Sequence, residues 1–365
     1  MKNNNTKRVT VKVGSNVLTR ADGTLDVTRM SALVDQIAAL RRSGMEVILI
    51  SSGAVACGRS ELARLDLPRL DNVDSRQLFS AVGQVKLMNR YTDLFAGHGI
   101  NVGQVLTMKE NFATRRHYLN QRNCMSVMLA AGVVPVVNEN DTVSVTELMF
   151  TDNDELSGLV ATMMDCGALV ILSNIDGIYD GDPKDPASRV ITTVTADRDL
   201  AAYIKTERSG FGRGGMATKY RIARKVAEEG IEVIIANGKR DNVLCDLLLS
   251  DTPPVATRFV PSADGVSGVK RWMAHSQGFA KGRLLIDAKA VEAVTSDTAV
   301  SLLPVGVTAV EGDFEKDDLV AIVAPDGTEL GIGRIAVNSD EARATMGQHG
   351  HKPIVHYDYM FIEKY

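Results

Sequence analysis

Two lysines and a glycine-rich loop are the residues of this sequence whose types and spacing favour phosphate chemistry. The stretch FGRGGMATK (211–219) places Gly214 and Gly215 just ahead of a predicted helix that contains Lys219. Amides at a helix N-terminus, with a lysine in the first turn, suit an anion such as a phosphate. The spacing differs from the P-loop pattern G-x-x-x-x-G-K-[ST], and a glycine cluster by itself also fits a surface loop.

The second lysine, Lys12, lies in the first predicted strand (RVTVKVG), shortly before Gly14. Taken alone, strand alternation explains Lys12 as an exposed polar residue. If the strand ends at the ligand edge of a sheet, Lys12 instead reaches a phosphate whose oxygens rest on the Gly14 amide. Two lysines, glycine amides and a central aspartate are what phosphoryl transfer between two anions requires.

Polar clusters after two further strands favour a small-molecule pocket. SSGAVACG places Ser52 and Gly53 after the second strand, where small residues let backbone N–H groups approach an anion, although a simple turn explains them equally. NENDTV (138–143) puts four hydrogen-bonding side chains in a row after a buried strand, among them Asn138 and Asp141. That is more than an Asx turn requires.

The stretch TDNDELSGL contributes Asp152, Asn153 and Asp154. Asp152 and Glu155 have the spacing of a helix capping box, and Asp154 in the first turn also suits the helix dipole. Each aspartate therefore has a structural explanation of its own. A functional role is favoured because the cluster is expected at the same sheet edge as Lys12 and Ser52.

The stretch SNIDGIYDGDP (173–183) follows another buried strand. Ser173 and Asn174 lie nearest the strand end, where they are placed to contact a nucleotide. Asp180 and Asp182 lack the spacing of a calcium loop, so turn formation is the better explanation for them.

Apolar strands and amphipathic helices alternate through the first two thirds of the chain, and one such helix carries Leu78, Val82, Val85 and Met88 on its predicted core face. This pattern predicts an α/β fold with a mainly parallel sheet sandwiched by helices. In such sheets ligands bind beyond the carboxyl ends of the strands, so the clusters above are expected in one cleft.

A segment rich in Pro, Ser, Asp and Gly (250–268) predicts a domain junction. We expect a first domain over 1–260, a linker over 261–275 and a small β-rich domain over 276–365. RLLID, LVAIV and ELGIG are its candidate strands, and Asp326-Gly327 between the last two predicts a hairpin turn.

Length, charge and cysteine content disfavour several classes of protein. A length of 365 residues favours two domains, and a net charge of −4 gives no reason to expect nucleic acid or an anionic membrane as partner. The cysteines form no C-x-x-C pair, so neither a zinc site nor a disulfide framework is indicated. The sequence has no signal-peptide pattern and no apolar run near the length of a membrane span, which predicts a cytoplasmic protein.

Taken in order, VKVGSN, SSGAVACGR, NENDTV, TDNDELS and GRGGMATK resemble the motifs of the amino acid kinase family. The C-terminal part is similar to a PUA domain through SLLPVGV, EGDFEKDDLV and LGIGRIAVNSDE. The resemblance covers nearly the whole chain. Within the family it points to the branch that phosphorylates the γ-carboxylate of L-glutamate with ATP, the first step of proline biosynthesis.

The resemblance implies roles for individual residues. Lys12 and Lys219 neutralise the transferring phosphoryl group, and Asp154 orients them. The implied glutamate site comprises Ser52, Gly53, Asn138, Asp141, Asp152 and Asn153. The implied ATP site comprises Lys12, Ser173, Asn174, Arg213, Gly214, Gly215, Met216, Ala217, Thr218 and Lys219. The family often has Thr-Asp in place of Ser173-Asn174 and Thr in place of Arg213.

The resemblance also implies Mg²⁺ beside ATP, feedback inhibition by proline at or near the glutamate site, and a homo-oligomer, either a dimer or a tetramer. Two alternatives stay open. One is a sister kinase of the family with another acceptor. The other is an RNA-binding protein that acts through its PUA domain, although residues 270–365 hold 10 Lys and Arg against 14 Asp and Glu. This acidic balance disfavours nucleic acid as a partner.

Overall fold

The computed structural model of the chain describes residues 7–113, 115–143, 152–196, 198–200, 215–262, 280–296 and 300–362. The chain divides into two compact units, Met1–Lys109 with Arg122–Gly265 and Glu110–Gln121 with Val266–Tyr365. Within the described ranges, no helix combines the length and the apolar character that a membrane span requires.

Strands and helices alternate along the first part of the chain. The strands are β1 Arg8–Val13, β2 Glu46–Ser51, β3 Val102–Thr107, β4 Val134–Glu139, β5 Ala168–Ser173, β6 Thr193–Val194, β7 Glu232–Asn237 and β8 Thr257–Phe259. The helices are α1 Ser15–Leu18, α2 Val27–Arg42, α3 Ala54–Glu61, α4 Asn72–Ala96, α5 Glu110–Ala113, α6 Arg115–Ala130, α7 Asn153–Met163, α8 Met216–Glu228 and α9 Val243–Leu248.

The described strands of the first unit form one sheet in the order β3-β4-β2-β1-β5-β7-β8-β6. The six strands from β3 to β7 in this order are mutually parallel, and β8 runs antiparallel to β7. Every residue of β4 and β5 is buried, as expected for strands that are covered on both faces. The expected mainly parallel α/β fold is confirmed. It brings the carboxyl ends of β1, β2, β4 and β5 to one edge.

Helices α3 and α4 pack closely because glycines lie at their contact. A Cβ atom at Gly83 of α4 would overlap the carbonyl oxygen of Ala54 and the amide nitrogen of Gly58 in α3. A Cβ atom at Gly58 would in turn overlap the carbonyl oxygen of Phe79. The contact therefore requires glycine on both helices.

This contact also decides which face of α4 is buried. Leu87, Tyr91 and Phe95 are buried, whereas Val85 is 63% exposed. The predicted core face was therefore wrong at Val85. The physical reason is that α4 approaches α3 most closely at Gly83. Glycine has no apolar side chain, so the pattern of apolar residues did not show that this face is buried.

Substitution of Gly83 by alanine is expected to lower the free energy of unfolding by about 2 kcal/mol or more, because backbone atoms on α3 must move. Alanine would otherwise favour the helix. Urea unfolding measures the effect, with Gly97→Ala as the control. Gly97 has helical backbone, and its nearest neighbouring atom, Leu94 O, lies 3.4 Å from a built Cβ. Equal stability of the two variants would contradict the packing argument.

The second unit contains a separate β-rich sheet. Its elements in the C-terminal part of the chain are β9 Gly282–Ile286, α10 Ala288–Thr295, a 3₁₀ turn at Pro304–Gly306, β10 Val307–Gly312, β11 Leu319–Val323, β12 Glu329–Ile335, α11 Ser339–Thr345 and β13 Val355–Ile362. The sheet order is β10-β9-β11-β12-β13. β11 and β12 are antiparallel and Gly327 has a φ of +88° between them, which confirms the predicted hairpin at Asp326-Gly327.

Candidate active site

A cleft of about 1220 Å³ opens at the carboxyl edge of the large sheet. It brings together most of the residues singled out in the sequence: Lys12, Ser52, Gly53, Asn138, Asp141, Asp152, Asn153, Asp154, Ser173, Asn174, Gly215, Met216 and Lys219. Ala217 and Thr218 are not among its lining residues. Arg213 and Gly214 lie outside the described residues.

Two lysines and one aspartate meet at the centre of this cleft. Lys12 Nζ lies 2.5 Å from Asp154 Oδ1, and Lys219 Nζ lies 2.8 Å from Asp154 Oδ2. Lys12 comes from β1, Asp154 from the first turn of α7 and Lys219 from the first turn of α8. One carboxylate from α7 therefore fixes two ammonium groups that arrive from β1 and α8.

These three side chains are almost entirely buried. Lys12 is 5% exposed, so the simple interpretation of an exposed alternating residue on β1 was wrong. Burial alone would raise the pKa of Asp154, but the Lys12 and Lys219 ammonium groups outweigh it and lower that pKa to about 2. Two ammonium groups and one carboxylate give these three side chains a net charge of +1, which suits an incoming phosphoryl group.

Asp152 begins helix α7 as its N-cap. Its Oδ1 accepts hydrogen bonds from the backbone N–H groups of Asp154 and Glu155, which confirms the predicted cap. Its Oδ2 is buried and has no hydrogen-bond partner among the described residues. Burial and the neighbouring Asp154 charge raise the pKa of Asp152 to about 6.

Because this folded-state pKa is raised, the stability linked to Asp152 is fully present below about pH 4 and is lost as the pH rises through about 6. Asp152→Asn keeps the capping oxygen and removes the ionisation. We expect the variant to gain about 1–3 kcal/mol over the wild type above pH 6, and progressively less towards pH 4. Urea unfolding at several pH values measures this. Asp71→Asn at the exposed N-cap of α4 is the control, and a gain that does not depend on pH would contradict the assignment.

Asn153 connects the polar clusters that follow β2 and β4. Its Nδ2 donates to Ser51 O at 3.1 Å, to Ser52 Oγ at 3.0 Å and to Asn138 Oδ1 at 3.0 Å. Gly53 next to them has a φ of +103°, a conformation that favours glycine, and it begins helix α3. This half of the cleft is therefore a wall whose polar side chains are hydrogen-bonded to one another.

The other half of the cleft lies beyond β5 and β7. Ser173 ends β5 and Asn174 follows it, and Gly215 is the N-cap of α8, where no described side chain caps the helix. Among the described residues, no capping side chain therefore competes with a ligand for the first-turn N–H groups of α8. One expectation fails here, since the Gly14 amide donates to Leu172 O at 3.2 Å and is not available to a phosphate.

Comparison with known proteins identifies the family of the chain. The sequence profile of the amino acid kinase family matches residues 7–237, and that of the PUA domain matches residues 282–357. The chain belongs to the amino acid kinase family. Both parts of the expected resemblance, the amino acid kinase region and the C-terminal PUA domain, are thereby confirmed.

The relatives within the amino acid kinase family are similar over nearly their full length. A protein of Bacteroides thetaiotaomicron named glutamate 5-kinase is 65% identical over 98% of this chain and 98% of its own. Another glutamate 5-kinase, from Chlorobaculum tepidum, is 44% identical over 98% of this chain and 97% of its own. Carbamate kinase from Giardia lamblia bound to AMP-PNP has a TM-score of 0.52 and 16% identity over 70% of this chain and 99% of that chain. That likeness shows the amino acid kinase fold alone.

Sequence reasoning missed several charged residues that line this amino acid kinase cleft, namely Arg20, Arg59, Arg76, Lys184 and Lys239. Arg76 is the one that contacts buried carboxylates of the acceptor half. It lies near the start of α4 and contacts both Glu139 and Asp141. A signal was present, because two carboxylates in NENDTV that follow a buried strand require a cation if they too are buried. The sequence did not show which arginine supplies it.

Proposed function

We propose that this protein transfers the γ-phosphoryl group of ATP to the γ-carboxylate of L-glutamate and forms L-glutamyl 5-phosphate, the first step of proline biosynthesis. The observation that carries the proposal is the Lys12–Asp154–Lys219 centre, in a cleft with a polar acceptor half and a nucleotide half. The relatives named glutamate 5-kinase over nearly the whole chain support the choice of acceptor.

In this proposal the order of the strands places the two substrates on opposite sides of β1. β4 and β2 lie on one side of β1, and β5 and β7 lie on the other. Adjacent strands are about 4.8 Å apart. In this proposal glutamate binds beyond β2 and β4, and ATP binds beyond β5 and β7. The two substrates therefore meet above β1, where Lys12 pairs with Asp154.

The chemistry requires charge neutralisation and no general base. A glutamate side chain has a pKa of about 4.3, so its γ-carboxylate is already a nucleophile at neutral pH. A γ-carboxylate oxygen attacks the γ-phosphorus, the bond to the β,γ-bridging oxygen breaks, and ADP leaves. Lys12 and Lys219 offset the repulsion between these anions, and Asp154 holds both ammonium groups in place.

The remaining site residues divide between the two substrates in this proposal. Ser52, Gly53, Asn138, Asp141, Asp152 and Asn153 bind glutamate. Lys12, Ser173, Asn174, Arg213, Gly214, Gly215, Met216, Ala217, Thr218 and Lys219 bind ATP. Ala217 and Thr218 bind ATP through their backbone in the first turn of α8, because their side chains do not line the cleft.

Mg²⁺ enters the proposal as the partner of ATP. Among the described residues, no three His, Cys, Asp or Glu side chains are grouped as a metal site. This fits an ion that keeps phosphate oxygens and water as ligands and takes only one or two carboxylates, as Mg²⁺ does in kinases. Asp152 Oδ2, buried at the cleft without a hydrogen-bond partner in the described chain, is the oxygen best suited to it. Mg²⁺ bound with ATP would neutralise phosphate charge.

We extend the proposal to organisation and control. The kinase domain is assigned to 1–260, the linker to 261–275 and the PUA domain to 276–365. Proline is proposed as a feedback inhibitor at or near the glutamate site, with a dimer or tetramer in the cytoplasm as the working form. The resemblance to the family supports these assignments, and the acidic C-terminal part supports the absence of a nucleic-acid partner.

The test is ATP- and Mg²⁺-dependent hydroxamate formation in hydroxylamine, with L-glutamate, L-aspartate, N-acetyl-L-glutamate and carbamate as acceptors. We expect a strong signal with L-glutamate alone and its suppression by proline. A signal with another acceptor would instead assign a sister kinase. No turnover with any acceptor would reject the kinase proposal and direct attention to RNA binding by the PUA domain.

A further inference from the structure

Arg76 lies in the acceptor half of the cleft between two buried carboxylates. Its Nε donates to Asp141 Oδ1 at 2.8 Å, and its Nη2 donates to Glu139 Oε2 at 2.9 Å and also to Asp141 Oδ1. The side chains of Arg76, Asp141 and Glu139 are 18%, 10% and 5% exposed. All three line the same cleft as the Lys12–Asp154–Lys219 centre.

The charges of this cluster do not cancel. Two carboxylates face one guanidinium, so the cluster has a net charge of −1 when all three groups are ionised. The centre formed by Lys12, Asp154 and Lys219 has the opposite net charge, +1. A ligand that spans both clusters is therefore expected to carry an anionic group at one end and a cationic group at the other.

The strand order places the two clusters on different strands of the sheet edge, in the direction along which an amino acid acceptor would extend. Glu139 ends β4, which lies two strands from β1 and so about 10 Å away at the usual strand spacing. With the γ-carboxylate at the lysines above β1, the α-carbon of glutamate points towards β4. Its ammonium group then points towards the carboxylates of Glu139 and Asp141.

We propose that Arg76 is a positioning residue that holds Glu139 and Asp141 as a pair of carboxylates for the α-ammonium group of the acceptor. Arg76 thereby makes the enzyme select a zwitterionic amino acid over a simple dicarboxylate. This inference rests on the proposed function and names the residue that sets its acceptor class.

Arg76 is needed because the two carboxyl groups also interact with each other, side chain to side chain. Burial raises the pKa of Asp141, and Arg76 opposes that rise. Without the guanidinium, the pair would retain a proton, so only one ionised carboxylate would be left for the ammonium group and neither carboxyl group would be held in place by Arg76. The phosphoryl-transfer centre does not include Arg76, so the chemical step should persist.

The test compares L-glutamate with glutarate, which has the same two carboxylates and lacks the α-ammonium group. Hydroxamate formation gives kcat and KM for both acceptors in the wild type, Arg76→Gln, Arg76→Lys and Glu139→Gln. The matched control is Arg258→Gln. Arg258 pairs with Glu232 at 2.9 Å with 28% of its side chain exposed, and it does not line the cleft.

We expect the wild type to prefer L-glutamate strongly. In Arg76→Gln the KM for L-glutamate should rise about tenfold or more with kcat changed by less than about threefold, as for the loss of a buried charge pair that acts in binding. The kcat/KM for glutarate should stay near its wild-type value, so the preference falls by the same factor. Arg76→Lys should recover part of it, and Arg258→Gln should behave as the wild type.

Glu139→Gln keeps the inference testable if Arg76→Gln does not fold, because it removes one carboxylate of the pair and should also reduce the preference. An unchanged glutamate-to-glutarate ratio in the folded variants would overturn the inference, as would a wild type that uses glutarate equally well. If the wild type forms no hydroxamate from L-glutamate, the proposed function itself fails and this inference fails with it.

Discussion

Substitution of Lys219 by alanine is expected to lower kcat by about two to three orders of magnitude, the usual effect of removing a group that stabilises transition-state charge. The KM for L-glutamate should change little, because the acceptor half of the cleft does not include Lys219. Stability should also change little, since Asp154 keeps the Lys12 ammonium group at 2.5 Å. Steady-state kinetics by hydroxamate formation and urea unfolding measure the three quantities.

The control for this variant is Lys86→Ala. Lys86 forms an exposed pair with Glu61 at 3.2 Å, and such surface pairs contribute about 0–1 kcal/mol. It should leave both kcat and stability near the wild-type values. If Lys219→Ala lost stability without a loss of kcat in the fraction that remains folded, Lys219 would be a structural residue and the proposed centre would be incorrect.

Substitution of Asp154 by asparagine is expected to reduce both activity and stability. The carboxylate is fully buried and serves two ammonium groups, so its removal leaves two like charges together without a counter-ion. Breaking a buried ion pair in this way lowers the free energy of unfolding by about 3–5 kcal/mol. We expect kcat to fall as much as in Lys219→Ala, because both lysines lose their orientation. Urea unfolding at pH 7 and steady-state kinetics are the measurements.

Stability distinguishes the two variants, because Asp154→Asn should lower the free energy of unfolding and Lys219→Ala should change it little. Because the folded-state pKa of Asp154 is lowered to about 2, its contribution is fully present above about pH 4 and is lost as the pH falls through about 2. The destabilisation by Asp154→Asn should therefore be complete at neutral pH. A variant as stable as the wild type at pH 7 would contradict the assignment of Asp154 as the shared counter-ion.

Much of the fold was predictable because its strands are buried on both faces. Strands β2, β4, β5 and β7 appear in the sequence as short apolar runs between amphipathic helices, as is typical of a parallel sheet. Parallel strands also align their carboxyl ends, so the polar residues that follow them were expected to share one cleft. That expectation did not require knowledge of which distant residues contact one another.

The features that were not predictable depend on contacts between distant parts of the chain. Lys12 looked like an exposed residue of an alternating strand, because its counter-ion Asp154 comes from a helix far along the sequence. Arg76 went unnoticed because its role depends on Glu139 and Asp141, more than sixty positions away. The occupied Gly14 amide depends on Leu172, which only the pairing of β1 with β5 brings into reach.

The central claim is that a γ-carboxylate oxygen of glutamate becomes bonded to the transferred phosphorus. It is tested most directly with L-glutamate that carries ¹⁸O in both γ-carboxylate oxygens, incubated with ATP, Mg²⁺ and hydroxylamine. Hydroxylamine attacks the carbonyl carbon of the acyl phosphate and releases inorganic phosphate, whose ¹⁸O content is read by ³¹P NMR.

We expect each released phosphate to carry a single ¹⁸O atom, and the hydroxamate to retain the other. Phosphate without ¹⁸O would show that water, and not the carboxylate, attacks the γ-phosphorus. That result would contradict the account of the Lys12–Asp154–Lys219 centre as a site of phosphoryl transfer to glutamate.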